Sequence, residues 1–83
     1  PNPFNPITVI GYSLKKDSNV NISIYDMLGR VVNNLVSGKQ KAGYRSVQWN
    51  GTNSMGERVS AGIYLYRIIS RDHKETRKMI LLK

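Results

Sequence analysis

The sequence predicts an all-β fold: an immunoglobulin-like or fibronectin-like antiparallel β-sandwich of about seven strands, formed by residues 1–83 as one domain. Turn-forming residues recur at short intervals, at Asp17-Ser18-Asn19, Leu28-Gly29-Arg30, Ser37-Gly38-Lys39, Asn50-Gly51, Met55-Gly56 and Ala61-Gly62. The segments between them are rich in Val, Ile and Tyr, and most alternate apolar with polar residues, the period of a half-buried strand. A single tryptophan, Trp49, and a late Gly62-Ile63-Tyr64 stand where such sandwiches place an inter-sheet pin and a tyrosine corner.

The elements follow in order. Ile10, Tyr12 and Leu14 share one face of a first strand, with Gly11 and Ser13 on the other. Val20, Ile22 and Ile24 alternate with Asn21, Ser23 and Tyr25 in a second. The next segment is ambiguous. Met27, Leu28, Val31, Val32, Leu35 and Val36 are spaced as on a helix. Gly29, the valines and Asn33-Asn34 are weak helix formers and oppose that reading. Val47 and Trp49 alternate with Ser46, Gln48 and Asn50. Asn50 to Glu57 reads as one long turn with Gly51 and Gly56 left-handed, after which Val59 starts a short edge strand. Gly62 to Ser70 is apolar on both faces and is predicted to be central. Tyr64 is predicted to cap the corner, with Tyr66 competing for that role. Thr76 to Leu82 closes the chain, again apolar on both sides.

The 83 residues bury roughly 60% of their unfolded surface by size scaling, so the core is thin. Without cysteine there is neither a disulfide nor a thiolate metal site. No apolar run approaches the roughly 20 residues of a membrane-spanning helix, and no signal peptide is visible. The start at Pro1, without methionine, reads as a piece of a longer protein. Lysine and arginine number 13 against 5 acidic residues, a net charge of +8. That balance fits nucleic acid, an anionic membrane or an acidic glycan as readily as a plain solvated surface. The densest basic group is Arg67, Arg71, Lys74, Arg77, Lys78 and Lys83.

Catalytic chemistry finds little support. His73 is the only histidine and sits in a polar hairpin tip, Arg71 to Glu75. The five acids are scattered over turns, with no apolar pocket evident to shift a pKa. Asn50, Thr52, Ser54 and Glu57 have the alternate spacing of an oxygen-ligand loop, but one glutamate falls short of a calcium site, and the turn reading is preferred. Phe4, Tyr12, Tyr25, Tyr44, Trp49, Tyr64 and Tyr66 lie mostly on apolar strand faces, where a core role outranks base stacking. The chain is therefore expected not to be an enzyme, to use no cofactor or metal, and not to bind nucleic acid.

The opening Pro1-Asn2-Pro3-Phe4-Asn5-Pro6-x-Thr8, then Ile10-x-Tyr12-x-Leu14, resembles that of C-terminal sorting domains of the bacterial type IX secretion system. The likeness continues through Ile24-Tyr25-Asp26-Met27-Leu28-Gly29-Arg30-Val31-Val32, Ala42-Gly43-Tyr44 and Trp49-Asn50-Gly51. It ends with Gly56, Val59, Ala61-Gly62-Ile63-Tyr64-Leu65-Tyr66 and Thr76-Arg77-Lys78-Met79, and so covers essentially the whole chain. The middle portion also resembles the Ig-like domain of flagellar hook-capping proteins. The resemblance assigns the Leu28-Gly29-Arg30-Val31-Val32 stretch to a strand, against its helical spacing.

The resemblance implies an address rather than an activity. A larger cargo, fused on the N-terminal side, would pass through the periplasm to the cell surface or the medium. The outer-membrane secretion machinery would read this domain, and a sortase-like protease would act on it. Arg77, Lys78, Ile80, Leu81, Leu82 and Lys83 become candidate recognition residues. Pro1, Asn2, Pro3, Gly29, Trp49, Gly51, Gly56, Gly62 and Tyr64 become structural motif residues. The +8 charge exceeds what the resemblance leads one to expect and leaves room for an anionic glycan or lipopolysaccharide as a further partner. Two other readings stay open: a structural spacer or assembly domain of the hook-capping kind, and a carbohydrate-binding module using exposed tyrosines such as Tyr25 or Tyr44.

Overall fold

The computed structural model describes residues 7–71 and 73–82; Pro1, Asn2, Pro3 and Lys83 lie outside the described residues. Six strands form among the described residues: β1 Thr8–Leu14, β2 Ser18–Tyr25, β3 Val31–Gln40, β4 Gly43–Trp49, β5 Gly62–Ser70 and β6 His73–Leu81. They make two antiparallel sheets, β1-β4 and β3-β2-β5-β6. The all-β sandwich predicted from the sequence is the fold observed, with one strand fewer.

The core follows from strand parity, since alternate residues point to opposite faces. Ile10, Tyr12 and Leu14 of β1 face Val20, Ile22 and Ile24 of β2, with Trp49, Tyr64, Ile68 and Leu81 completing the cluster. Trp49, Ile22, Ile24 and Leu81 are all but sealed from water. Burying each aliphatic side chain of this size contributes about 1.5–3 kcal/mol. Tyr12 also ties the sheets together, its hydroxyl donating to Oε1 of Gln40 at the end of β3. As predicted, β5 is central, hydrogen-bonded to β2 and β6.

The ambiguous segment is a strand, and its helix-like spacing has a physical cause. Strand β3 slips register against β2 twice, opposite Ile22/Ser23 and opposite Ile24/Tyr25. Each bulge sets two residues against one and resets the alternation. Consequently Val32 and Asn33, then Leu35 and Val36, are half-buried in pairs, while Val31 and Asn34 are exposed. A bulged strand thus repeats every three residues or so, close to the helical period.

Three expectations need correction. The β3 strand begins only at Val31; Leu28, Gly29 and Arg30 form the turn before it, and Met27 and Leu28 are exposed. Ser37-Gly38-Lys39 is not a turn, because all three residues pair with β2; the chain reverses at Lys41-Ala42, where the Ala42 amide donates to Asp17 Oδ1 at 2.8 Å. Val59 starts no strand. Its amide donates to the Gly51 carbonyl at 3.0 Å, and a lone bridge joins Thr52 to Arg58, so residues 50–59 fold back on themselves.

Candidate recognition surface

Among the described residues, strand β6 is an outer strand, paired with β5 on one side only. Alternation divides the residues that the sequence marked there. Lys78 and Ile80 point to the open face of the four-stranded sheet, and Ile80 is 63% exposed. Leu82, just past the strand, is exposed as well. Leu81 is a correction to the expected recognition set: at 1% exposure it is a core residue, turned inward by the same alternation that turns Ile80 out.

The open face brings further residues to Lys78 and Ile80. Ile80 stands opposite Ile63, and Lys78 opposite Leu65. The row continues through Tyr25 of β2 to Val31 of β3. Ile63 and Val31 are exposed, while Leu65 and Tyr25 are half-buried, so an apolar strip crosses the sheet. The Arg67 guanidinium lies 5.4 Å from the Tyr25 ring centroid, a cation–π contact, and its buried Nε has no hydrogen-bond partner among the described residues. The sequence reading missed this strip. Its signal was the run Ile63-Tyr64-Leu65, apolar on both faces, which supplies both the core and this uncovered side.

Arg77 is placed differently. Its Nε donates to Glu75 Oε2, and His73 lies 3.4 Å from the other carboxylate oxygen. The Arg77 hydrogen bond, with a smaller contribution from His73, holds the Glu75 carboxyl below the usual range, and Glu75 in turn raises Arg77. The charge of Arg77 is thus already answered within its own strand, whereas Lys78 faces outward beside apolar neighbours.

The structural motif residues among the described ones, Gly29, Trp49, Gly51, Gly56, Gly62 and Tyr64, cluster at the same end of the sandwich. Trp49 donates from Nε1 to the Thr52 carbonyl at 2.8 Å and meets Tyr64 edge-on, with centroids 5.3 Å apart. The Tyr64 hydroxyl donates to the Ser60 carbonyl at 2.6 Å, which makes Tyr64, not Tyr66, the corner residue. Gly51 is required twice: its φ is +75°, and a Cβ there would lie 3.3 Å from the methyls of Leu81. Gly56 also has positive φ and closes the loop through its amide to the Asn53 carbonyl. Asn53 organises this loop. Its Oδ1 accepts from the amides of Met55 and Glu57, both at 3.0 Å, and its Nδ2 donates to Glu57. Asn33 anchors the loop to β3 by donating to the carbonyls of Thr52 and Asn53.

Gly29, with φ +85°, lies in a turn built on Asp26. That carboxylate accepts from the amides of Arg30 and Leu28 and from the Arg30 guanidinium. Chiefly through the Arg30 amide, its pKa is held below the ordinary value. Of the four residues with the spacing of an oxygen-ligand loop, Thr52 donates from Oγ1 to Asn50 Oδ1 at 2.6 Å, and Glu57 Oε1 accepts from Asn53 at 3.0 Å. Among the described residues, no three of His, Cys, Asp and Glu gather into a metal-binding set.

The FlgD Ig-like domain family matches residues 6–73. Among solved structures, the chain is similar to FlgD from P. aeruginosa, with TM-score 0.71 and 28% identity over 92% of this chain and 61% of that one. FlgD from Xanthomonas campestris, described for hook capping essential for flagellar assembly, gives TM-score 0.71 and 25% identity over 94% of this chain and 59% of that one. Dimeric latent PorU from Porphyromonas gingivalis gives TM-score 0.70 and 27% identity, over 96% of this chain but 8% of PorU. The chain thus spans less than two thirds of each of these proteins. No curated protein matches it.

Proposed function

Because the chain belongs to the FlgD Ig-like domain family, we propose that it is a non-catalytic recognition domain, and specifically a C-terminal sorting domain that directs a larger cargo through the type IX secretion system. The observation that carries this reading is the outer strand β6, which presents Lys78 and Ile80 beside the apolar strip from Ile63 to Val31. An open strand edge with an adjoining apolar face suits docking by strand addition. The Pro1-Asn2-Pro3 opening and the Lys78-bearing last strand favour the sorting reading over the hook-capping one. The likeness to PorU, in which the matched part is 8% of the chain, fits a small module borne by a much larger protein. On this reading the domain passes through the periplasm to the cell surface or medium, and its partners are the outer-membrane machinery and a sortase-like protease.

The experiment is export of a reporter fused ahead of the domain, in a host with that secretion system. Lys78→Glu with Ile80→Asn alters the exposed side of β6 and spares Leu81, so the fold is kept. Export should fall sharply; undiminished export with a folded variant would remove the assignment. A second reading, a structural assembly domain of the hook-capping kind, is favoured by the family match and by two FlgD structures. It predicts that these substitutions leave export alone and disturb assembly of the parent protein.

A further inference from the structure

Of the 13 lysines and arginines, six gather in the turns at one end of the sandwich. The strands place Lys15, Lys16, Lys39, Lys41, Arg71 and Lys74 at one end, in or beside the β1–β2, β3–β4 and β5–β6 turns, and all six are exposed. The described acids nearby are engaged: Asp17 accepts from the Ala42 amide, and Glu75 holds Arg77 and His73. Between the turns lies an open cleft of about 560 Å³, lined in part by Ser13, Lys15, Lys16, Ser18, Arg71 and His73. That size falls among small-ligand sites, roughly 300–1,000 Å³.

A second, independent feature adjoins the cleft. Ser13, on its rim, is the cross-strand partner of Tyr44. Tyr44 is 75% exposed, yet its position is defined, because its ring lies down against Gly11 two residues along β1. A Cβ on Gly11 would come 2.1 Å from the Tyr44 hydroxyl and 3.0 Å from the ring. Glycine inside a strand gives up packing and often marks such a close approach. The result is a flat aromatic surface on the outer face of the β1-β4 sheet, beside Ser13 and Ser46 and one strand-end away from Lys15 and Lys16.

We infer that this end of the sandwich binds an acidic polysaccharide, a sugar ring lying on Tyr44 and its carboxylates or sulfates meeting Lys15, Lys16 and Arg71. A pyranose ring has one apolar C–H face, which suits an aromatic plate, while its substituents reach the serine hydroxyls and the cations. A single-stranded nucleic acid would call for a series of stacking aromatics along a groove; here Tyr44 is the one large apolar side chain exposed at this end among the described residues. An anionic membrane would call for apolar side chains to insert, and the other exposed ones (Ile7, Met27, Leu28, Met55, Ile80 and Leu82 among them) lie away from this end. The inference does not depend on the sorting reading.

The test is calorimetry on the folded domain with polygalacturonate, dextran and polyacrylate. Polygalacturonate should bind with an affinity that weakens as salt screens the cations, and dextran should not bind. Gly11→Ala displaces only the far end of the Tyr44 side chain, so the melting temperature should hold while affinity drops about tenfold, as it should for Lys15→Ala with Lys16→Ala. No binding, polyacrylate binding as tightly with Gly11→Ala without effect, or tighter binding to an oligonucleotide or anionic vesicles would each overturn the inference.

Discussion

At one end of the sandwich the chain enters β1 and leaves β6, and there the loops are built from side chains that bond backbone: Asn33, Asn53, Asp26, Trp49 and Tyr64. At the other end the turns are short and carry six exposed cations, of which Lys15, Lys16 and Arg71 line an open cleft. The exposed apolar residues Ile7, Met27, Leu28, Met55, Ile80 and Leu82 gather at the first end. Stability and contact chemistry are thus divided by position. The first end fixes its loops by side-chain hydrogen bonds and offers an apolar strip; the second gathers exposed cations.

Substitutions can break or sharpen this division. Trp49→Ala removes the pin between the sheets and should cost about 3–5 kcal/mol, read from chemical denaturation; an unchanged midpoint would contradict the core assignment. Tyr64→Phe keeps the ring against Trp49 but leaves the Ser60 carbonyl without its donor, and should cost about 1–2 kcal/mol. For Asp26 the folded pKa is depressed, so its stabilisation is present above the unfolded value and is lost as pH falls through the lower folded value. Melting of the wild type should therefore decline in acid below about pH 4, and Asp26→Asn should make that decline shallower. The smallest effect is expected at the other end: Lys41→Glu with Lys74→Glu should leave stability within about 0.5 kcal/mol. A large loss there would show that the basic end carries structural weight.

The sequence revealed the parts of the fold in which one residue decides one contact. Alternation in β1 and β2 located Ile10, Tyr12, Leu14, Val20, Ile22 and Ile24 in the core, and Trp49 and Tyr64 took the roles their spacing indicated. It failed where pairing across strands decides. The bulges of β3 depend on its register with β2, which no local pattern reveals, and Ser37-Gly38-Lys39 looks like a turn until paired. Among the recognition candidates, Leu81 and Ile80 are chemically alike, and only the register with β5 separates core from surface. The Tyr25–Arg67 contact and the Tyr44–Gly11 contact join residues 42 and 33 positions apart, so neither was visible in the linear chain.

The shared end of β1 and β6 has a mechanical consequence. Thr8 pairs with Trp49, and Leu81 with Gly62, each at the end where the chain enters or leaves. A pull separating these two points loads each ladder from its last pair inward, so hydrogen bonds open one after another like a zipper. A load shared along the strands would have to break a whole row at once. Force spectroscopy with handles at Thr8 and Leu82 should therefore record a lower unfolding force than handles at Thr8 and Gly43, which load the β1–β4 ladder in shear. A domain joined to its neighbour through this end is firm at equilibrium yet yields readily to traction.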